Sequence, residues 1–143
     1  MFGLNSIYHP ITALPGVHNN SYMELPPCPA LTPYIRCFWG SAGPVRHCEI
    51  PGRPVIPDTC MDLIFYTNYS QNQYDGQFTA LDEGTYQSEA VDSPDITSIF
   101  AIRFYGWSAV LFSDRSMKGS RNQAFCTDAF FGGLKKRAGA GSM

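Results

Sequence analysis

The segment formed by residues 60–66, Cys-Met-Asp-Leu-Ile-Phe-Tyr, constrains the fold more than any other part of the sequence. Successive side chains of a β-strand point to opposite faces, so Met61, Leu63 and Phe65 share one face and the residues between them share the other. Both faces are largely apolar, which predicts a strand in the centre of a sheet. Asp62 is the exception, because a carboxylate in such a strand needs a partner or water.

Frequent proline and glycine indicate what surrounds this strand. The 11 Pro and 13 Gly among 143 residues disfavour long helices and favour short strands joined by turns. An apolar content of 44% with only 15% charged residues is unlike that of a disordered chain, and the length suits one hydrophobic core. We therefore predict a mainly β fold in a single domain over residues 1–137, with an irregular N-terminal arm at 1–30 and a flexible tail or cloning remnant at 138–143.

Further short strands are expected where β-branched and aromatic residues cluster. These segments are 34–39, 45–50, 55–56, 78–81, 85–88, 97–105 and, as a short edge strand, 20–25. The polar segment 68–76 favours an exposed hairpin loop, and the neighbouring acids Asp82 and Glu83 are interpreted as a solvated hairpin tip. Asp58 follows a proline, where its carboxylate can accept a hydrogen bond from the backbone two residues on.

The C-terminal part of the chain has a helical pattern. Trp107, Val110 and Leu111 recur at the spacing of one helical face, which predicts a helix at 107–112. A second helix is expected to begin near Thr127 and Asp128, with the Thr127 hydroxyl capping its first amides. The fold class is therefore mainly β with one or two short C-terminal helices.

Charge and hydropathy exclude several classes of protein. Ten basic and 12 acidic residues give a net charge of −2, so no positive field favours direct nucleic-acid binding. No apolar run reaches the roughly 20 residues of a membrane span, and no signal peptide is evident, so we expect a cytoplasmic protein without a membrane partner. The five cysteines are odd in number and irregularly spaced, as expected of reduced thiols.

Motifs of catalysis and metal binding are incomplete. His47-Cys48-Glu49 matches half of the zinc deaminase signature, but Cys60 is a single thiol where the second half requires two. A zinc site from Cys37, His47, Cys48 and Cys60 lacks the close spacing of such sites. There is no nucleophile elbow and no phosphate-binding glycine loop. We therefore expect no enzymatic activity, no cofactor and no bound metal.

Ionisable residues inside apolar strands are the remaining candidates for function. Arg36, Asp62 and Arg103 lie in predicted strands, and one interpretation is that Asp62 pairs with Arg36 or Arg103 as a structural link. The other is that these groups and nearby aromatic rings line a pocket for a small molecule. The candidate ligand-binding residues are Trp39, Asp62, Tyr66, Arg103 and Trp107.

Three stretches carry a family resemblance. They are LTPYIRCFWG at 31–40, RPVIPDTCMDLIF at 53–65 and FAIRFYGWSAVLF at 100–112. In this order and at these separations they resemble the N-terminal domain of a subgroup of AraC-type bacterial transcription regulators. The second stretch is the most specific, and together the three cover about a quarter of the chain.

The resemblance implies a cupin-like β-barrel or sandwich with a small-molecule effector in its interior, followed by helices that form a homodimer. Effector binding would bias the position of an attached DNA-binding domain. Nothing after Phe112 is long enough for the helix-turn-helix units of that family. The chain is therefore expected to be an excised sensor domain or a truncated relative, which meets DNA only through the missing domain.

Two other functions compete with this interpretation. A stand-alone cupin-like enzyme or metal-binding protein would need clustered histidine ligands, whereas His9, His18 and His47 are scattered. An interaction module that uses an exposed aromatic patch is the third possibility.

Overall fold

A computed structural model describes residues 22–41, 43–46, 54–55, 58–84, 86–87 and 94–133, and these residues are mainly β. The strands are β1 (Tyr22–Leu25), β2 (Ile35–Ser41), β3 (Val45–Arg46), β4 (Pro54–Val55), β5 (Cys60–Asn68), β6 (Gln73–Thr79), β7 (Tyr86–Gln87), β8 (Ile96–Tyr105) and β9 (Ala124–Cys126). A 3₁₀-helix at Ala109–Phe112 and a short α-helix, α1, at 128–133 complete the described part. Neither of these helices is long and apolar enough to cross a membrane.

The main sheet is antiparallel and runs in the order β1-β2-β8-β5-β6-β9, with β3 also pairing with β8. The predicted central strand is confirmed, because β5 pairs with β8 on one side and with β6 on the other. A separate two-stranded sheet is formed by β4 and β7. Among the described residues no pairing joins β1 to β9, so closure into a cupin-like barrel stays a prediction.

One face of the main sheet, here called the core face, packs against the C-terminal helix α1. The Phe131 ring of α1 is fully buried and lies 5.0 Å from the Phe78 ring and 6.2 Å from the Phe104 ring, centroid to centroid. Burying one such side chain contributes about 1.5–3 kcal/mol. The buried cluster consists of Ile35, Met61, Leu63, Phe78, Ala80, Phe104, Ala109, Phe130 and Phe131.

Close contact between α1 and β6 depends on Gly76. The Thr127 N–H donates to the Gly76 carbonyl at 3.0 Å, and a Cβ at position 76 would overlap the Thr127 hydroxyl. The predicted helix start at 127–128 is confirmed, but the predicted cap is wrong. The Thr127 hydroxyl has no hydrogen-bond partner among the described residues, and it is the Thr127 carbonyl that accepts from the N–H groups of Phe130 and Phe131.

The opposite face, here called the Asp62 face, carries the polar centre. On this face Asp62 of β5 lies directly opposite Arg103 of β8, its partner in the strand register. A β-bulge in β2 brings further residues to this face: Ile35 pairs with Phe104 on the core face, yet Cys37 pairs with Arg103. The extra residue in β2 therefore moves the side chains after it from one face to the other.

Several predicted boundaries differ from the structure. The loop predicted at 68–76 is largely wrong, because β5 extends to Asn68 and β6 begins at Gln73, which leaves a turn at 69–72. Pairing with β5 outweighs the weak strand propensity of these polar residues. The edge strand near 20–25 is confirmed as β1, whereas β9 was not predicted. The strands predicted at 45–50, 55–56 and 85–88 lie partly outside the described residues.

Candidate functional site

The polar centre of the Asp62 face is a two-point ion pair. Arg103 Nε donates to Asp62 Oδ1 at 2.9 Å, and Arg103 Nη2 donates to Asp62 Oδ2 at 3.0 Å. Arg103 is only 9% exposed, so this parallel geometry satisfies charges that are largely removed from water. Arg36, the other partner considered for Asp62, lies instead 4.0 Å from Glu24 at the surface.

Trp39 completes this cluster. Its indole Nε1 donates to Asp62 Oδ1 at 3.3 Å, and the Arg103 guanidinium carbon lies 5.6 Å from the centroid of the Trp39 ring. The second distance is within the range of a cation–π contact. Three of the five predicted site residues are therefore in one network, hereafter the Trp39 cluster, and the bulge in β2 is what brings Trp39 to this face.

Asp58 adds a second carboxylate that the sequence analysis did not place in the site. Its Oδ2 lies 4.0 Å from Arg103 Nη1, and its Oδ1 accepts a hydrogen bond from the Cys60 N–H at 2.9 Å, as the turn chemistry predicts. Burial raises the pKa of Asp58, and the Cys60 N–H and the Arg103 charge offset that rise only in part. Burial by itself would lower the pKa of Arg103, but the hydrogen bond and charge of Asp62 raise it, so the guanidinium stays charged.

The cysteines beside the cluster are inert thiols. Burial is the main cause that raises the pKa of Cys37 to about 11 and the pKa of Cys60 to about 12. Both are protonated near neutral pH, where a thiol is a poor nucleophile and a poor metal ligand. Within the described residues, no group of three His, Cys, Asp or Glu side chains could hold a metal ion. The three histidines, His9, His18 and His47, lie outside those residues.

The other two predicted site residues lie elsewhere. Tyr66 is on β5 four positions beyond Asp62, which places it about 13 Å away along the strand. Trp107 follows the end of β8, where its ring stacks on Tyr105 at 6.0 Å and lies 6.3 Å from Tyr34. Trp107 therefore belongs to an aromatic group at the end of β8 and not to the hydrogen-bond network of the Trp39 cluster.

A cleft of about 470 Å³ opens along β6, and none of the five predicted site residues is among the described residues that line it. Thr79 of β6 is the register partner of Asp62, so Thr79 and Gln77 present their side chains to the same face. The described residues that line the cleft are Gln77, Thr79, Asp82, Gly84, Asn122, Gln123 and Ala124. Burial and the negative charge of Asp62 raise the pKa of Asp82, which links the cleft to the cluster electrostatically.

The rim of the cleft is fixed by contacts between residues distant in sequence. The Glu83 N–H donates to Asn122 Oδ1 at 2.6 Å, and the Asn122 N–H donates to the Leu81 carbonyl at 2.8 Å. Asn122 has a φ of +59°, a left-handed conformation that asparagine tolerates better than most residues. Glu83 also pairs with Arg121. The hairpin predicted around residues 82–84 is wrong, because β6 pairs with β9 and β7 pairs with β4; Asp82 is half-buried in the cleft wall, whereas Glu83 is exposed.

The buried ion pair predicts a specific stability pattern. Asp62→Leu leaves the Arg103 charge without its main partner and should lower the free energy of unfolding by about 3 kcal/mol. Asp62→Leu combined with Arg103→Met should recover most of that loss, because no unpaired charge stays buried. Urea denaturation measures both. Glu83→Gln is the control, since breaking its exposed pair with Arg121 should change stability by no more than about 1 kcal/mol. A double variant as unstable as the single one would contradict this account.

The raised pKa of Asp58 predicts a pH dependence. A carboxyl group that ionises less readily in the folded state destabilises the fold as pH rises above its ordinary value of 3.8. Asp58→Asn removes this titration and keeps an acceptor for the Cys60 N–H. The stability of the variant relative to the wild type should therefore increase as pH rises above about 3.8, until Asp58 is ionised in the folded state, as measured by urea denaturation. Asp75→Asn controls for the lost charge, and a gain that is constant or falls with pH would count against the assignment.

Comparison with known proteins gives one match. A family model described as "Domain of unknown function (DUF6597)" matches residues 23–125, which extend from β1 into β9 and include the Trp39 cluster and the whole rim of the cleft. No curated protein and no solved structure matches the chain. The family match covers well over half of the sequence. The chain therefore belongs to the DUF6597 family.

Proposed function

We propose that this chain is the effector-sensing domain of an AraC-like transcription regulator, which binds a small molecule on the Asp62 face and signals to a DNA-binding domain. The DUF6597 domain is known to occur in AraC-like regulators, and the three stretches at 31–40, 53–65 and 100–112, which lie within the matched residues, resemble that family. The observation that carries the proposal is that one face of the sheet holds the Trp39 cluster and, on the strand adjacent to Asp62, residues that line a cleft. The domain acts by binding and not by catalysis.

The physical case begins with the cost of the Asp62–Arg103 pair. Replacing a buried ion pair by apolar residues of similar volume is often neutral or stabilising, so stability alone is a weak reason for two charges at this position. Small-molecule sites, by contrast, combine apolar and aromatic walls with a few fixed polar groups. The Trp39 ring and the Asp62 carboxylate, which Arg103 holds in place by two hydrogen bonds, are a wall and a fixed polar group of this kind.

The route for a signal runs along β8. Arg103 is near the C-terminal end of this strand, and the 3₁₀-helix follows after three residues. The buried Ser108 hydroxyl ties the two elements together, since its one hydrogen is within hydrogen-bonding reach of both the Tyr105 carbonyl, at 3.0 Å from Oγ, and the Tyr34 carbonyl. A ligand that favours one position of Arg103 can thereby bias the 3₁₀-helix, to the extent that its affinity differs between two states.

Ligand binding can be tested with the two tryptophans as separate reporters. In a thermal-shift screen of small metabolites, a true effector at 100 times its dissociation constant should stabilise the wild type by about 2.7 kcal/mol. The same compound should change the fluorescence of Trp107→Phe, in which only Trp39 emits. Trp39→Phe, in which only Trp107 emits, should respond less. A screen without stabilising compounds, or hits that leave Trp39 emission unchanged, would refute the proposal.

The proposed homodimer uses the 3₁₀-helix. In α1, Phe130 and Phe131 are buried in the protein's own core, so this helix contributes its apolar side chains internally. The 3₁₀-helix instead exposes Val110 by 46% and Leu111 by 63%. An exposed apolar surface of this kind at the end of β8 is suited to self-association. In such a dimer the two 3₁₀-helices, each of which follows β8 of its own protomer, would meet at the interface.

Self-association predicts a clear effect of one substitution. Leu111→Glu places a charge on the proposed contact and should weaken dimerisation by about tenfold or more, as measured by sedimentation equilibrium. Tyr74→Glu is the matched control, because Tyr74 is an exposed apolar residue on β6. A wild type that is monomeric throughout the concentration series, or an equal effect of Tyr74→Glu, would contradict the dimer proposal.

A further inference from the structure

We propose that the cleft lined by Gln77, Thr79, Asp82 and Gln123 binds the ammonium group of a small organic cation, with Asp82 as its counter-ion. This inference rests on the proposed sensing function and names the chemical class of the ligand. The cleft of about 470 Å³ lies within the size range of sites for small molecules.

The charge of Asp82 is the first argument. Asp82 is half-buried in the cleft wall and forms no hydrogen bond or ion pair with any described residue. Arg121 and Arg103 are engaged by other carboxylates, Arg121 by Glu83 and Arg103 by Asp62. A partly buried carboxylate without a partner is costly, and an incoming cation offsets that cost. The raised pKa of Asp82 agrees with this environment.

The neutral residues of the cleft favour the same ligand. Gln123 lines the cleft, and its Nε2 donates to the Gly119 carbonyl at 3.3 Å, so its amide oxygen remains available as an acceptor. The side chains of Gln77 and Thr79 also line the cleft and form no hydrogen bond within the described residues. Each offers an oxygen acceptor, and an ammonium group supplies three N–H donors.

The charges around the cleft disfavour an anion. None of the described lining residues is Lys, Arg or His. Asp82 lines the cleft, and Asp62 lies opposite Thr79 on the adjacent strand. A carboxylate or phosphate ligand would meet the negative charge of Asp82 and, among the described lining residues, no cationic donor, whereas a neutral polyol would leave Asp82 uncompensated.

A matched series of probes tests the ligand class. Putrescine, butanediol and succinate have the same number of carbon atoms and end in ammonium, hydroxyl and carboxylate groups. Binding to the ¹⁵N-labelled chain is measured by NMR titration, with the side-chain amide signals of Gln77 and Gln123 as local reporters. Putrescine should bind saturably, butanediol about tenfold more weakly or less, and succinate not at all.

Asp82→Asn identifies the counter-ion. The variant should fold at least as stably as the wild type, because it removes a carboxylate without a partner, and should bind putrescine about tenfold more weakly. Asp75→Asn removes a charge from β6 outside the cleft lining and should bind putrescine like the wild type. Wild-type affinity in Asp82→Asn, equal binding of butanediol, or no saturable binding of putrescine would each overturn the inference.

Failure of this inference is distinguishable from failure of the proposed function. If putrescine does not bind but the metabolite screen yields a compound that changes Trp39 emission, the sensing function stands and the ligand class is wrong. If no compound in that screen stabilises the protein, the sensing function itself is refuted.

Discussion

The pairing of Asp62 with Arg103 is the constraint on which the central sheet depends. A slip of β5 by one residue against β8 would turn Asp62 toward the core face and leave Arg103 without its partner on the opposite face, because side chains alternate along a strand. Charges in that apolar core would cost several kcal/mol each. The ion pair therefore favours a single register, and the same register sets Leu63 opposite Ile102 on the core face. Burial on one face and ion pairing on the other specify the same alignment.

The bulge in β2 extends this constraint to a third strand. Ile35, Cys37 and Trp39 alternate with other residues in the sequence, so a regular strand would place all three on one face. The extra residue, Arg36, lies at the half-exposed surface near Glu24, and the side chains after it change faces. Trp39 reaches Asp62 only because of this irregularity, so the candidate site depends on a local departure from the period-2 pattern.

The sequence predicted those features that depend on local pattern. The central strand, the edge strand β1 and the start of α1 follow from alternation and helical spacing, and a charged partner for Asp62 follows from its setting in an apolar strand. The cleft could not be predicted, because Glu83 and Asn122 meet across 39 residues through the pairing of β6 with the three-residue strand β9. The position of Trp107 was also not predictable. Its helical spacing does not show that the turn after β8 places its ring against Tyr34 and Tyr105 and not in the Trp39 cluster. The position of Asp58 could have been predicted. Asp58 precedes Asp62 by four residues, and an even spacing places two side chains on the same face of a strand.

The electrostatic link between Asp82 and Asp62 gives the proposed sensor a physical basis for coupling. Asp62 repels Asp82 across the Asp62 face and attracts Arg103 on β8. A cation at Asp82 would compensate the negative charge and alter the balance at Arg103, whose strand leads into the 3₁₀-helix. Water weakens the interaction between charges, and the partial burial of these carboxylates reduces that screening. A signal further requires two arrangements of β8 and the helix to which the ligand binds with different affinity, since a ligand of equal affinity for both shifts nothing.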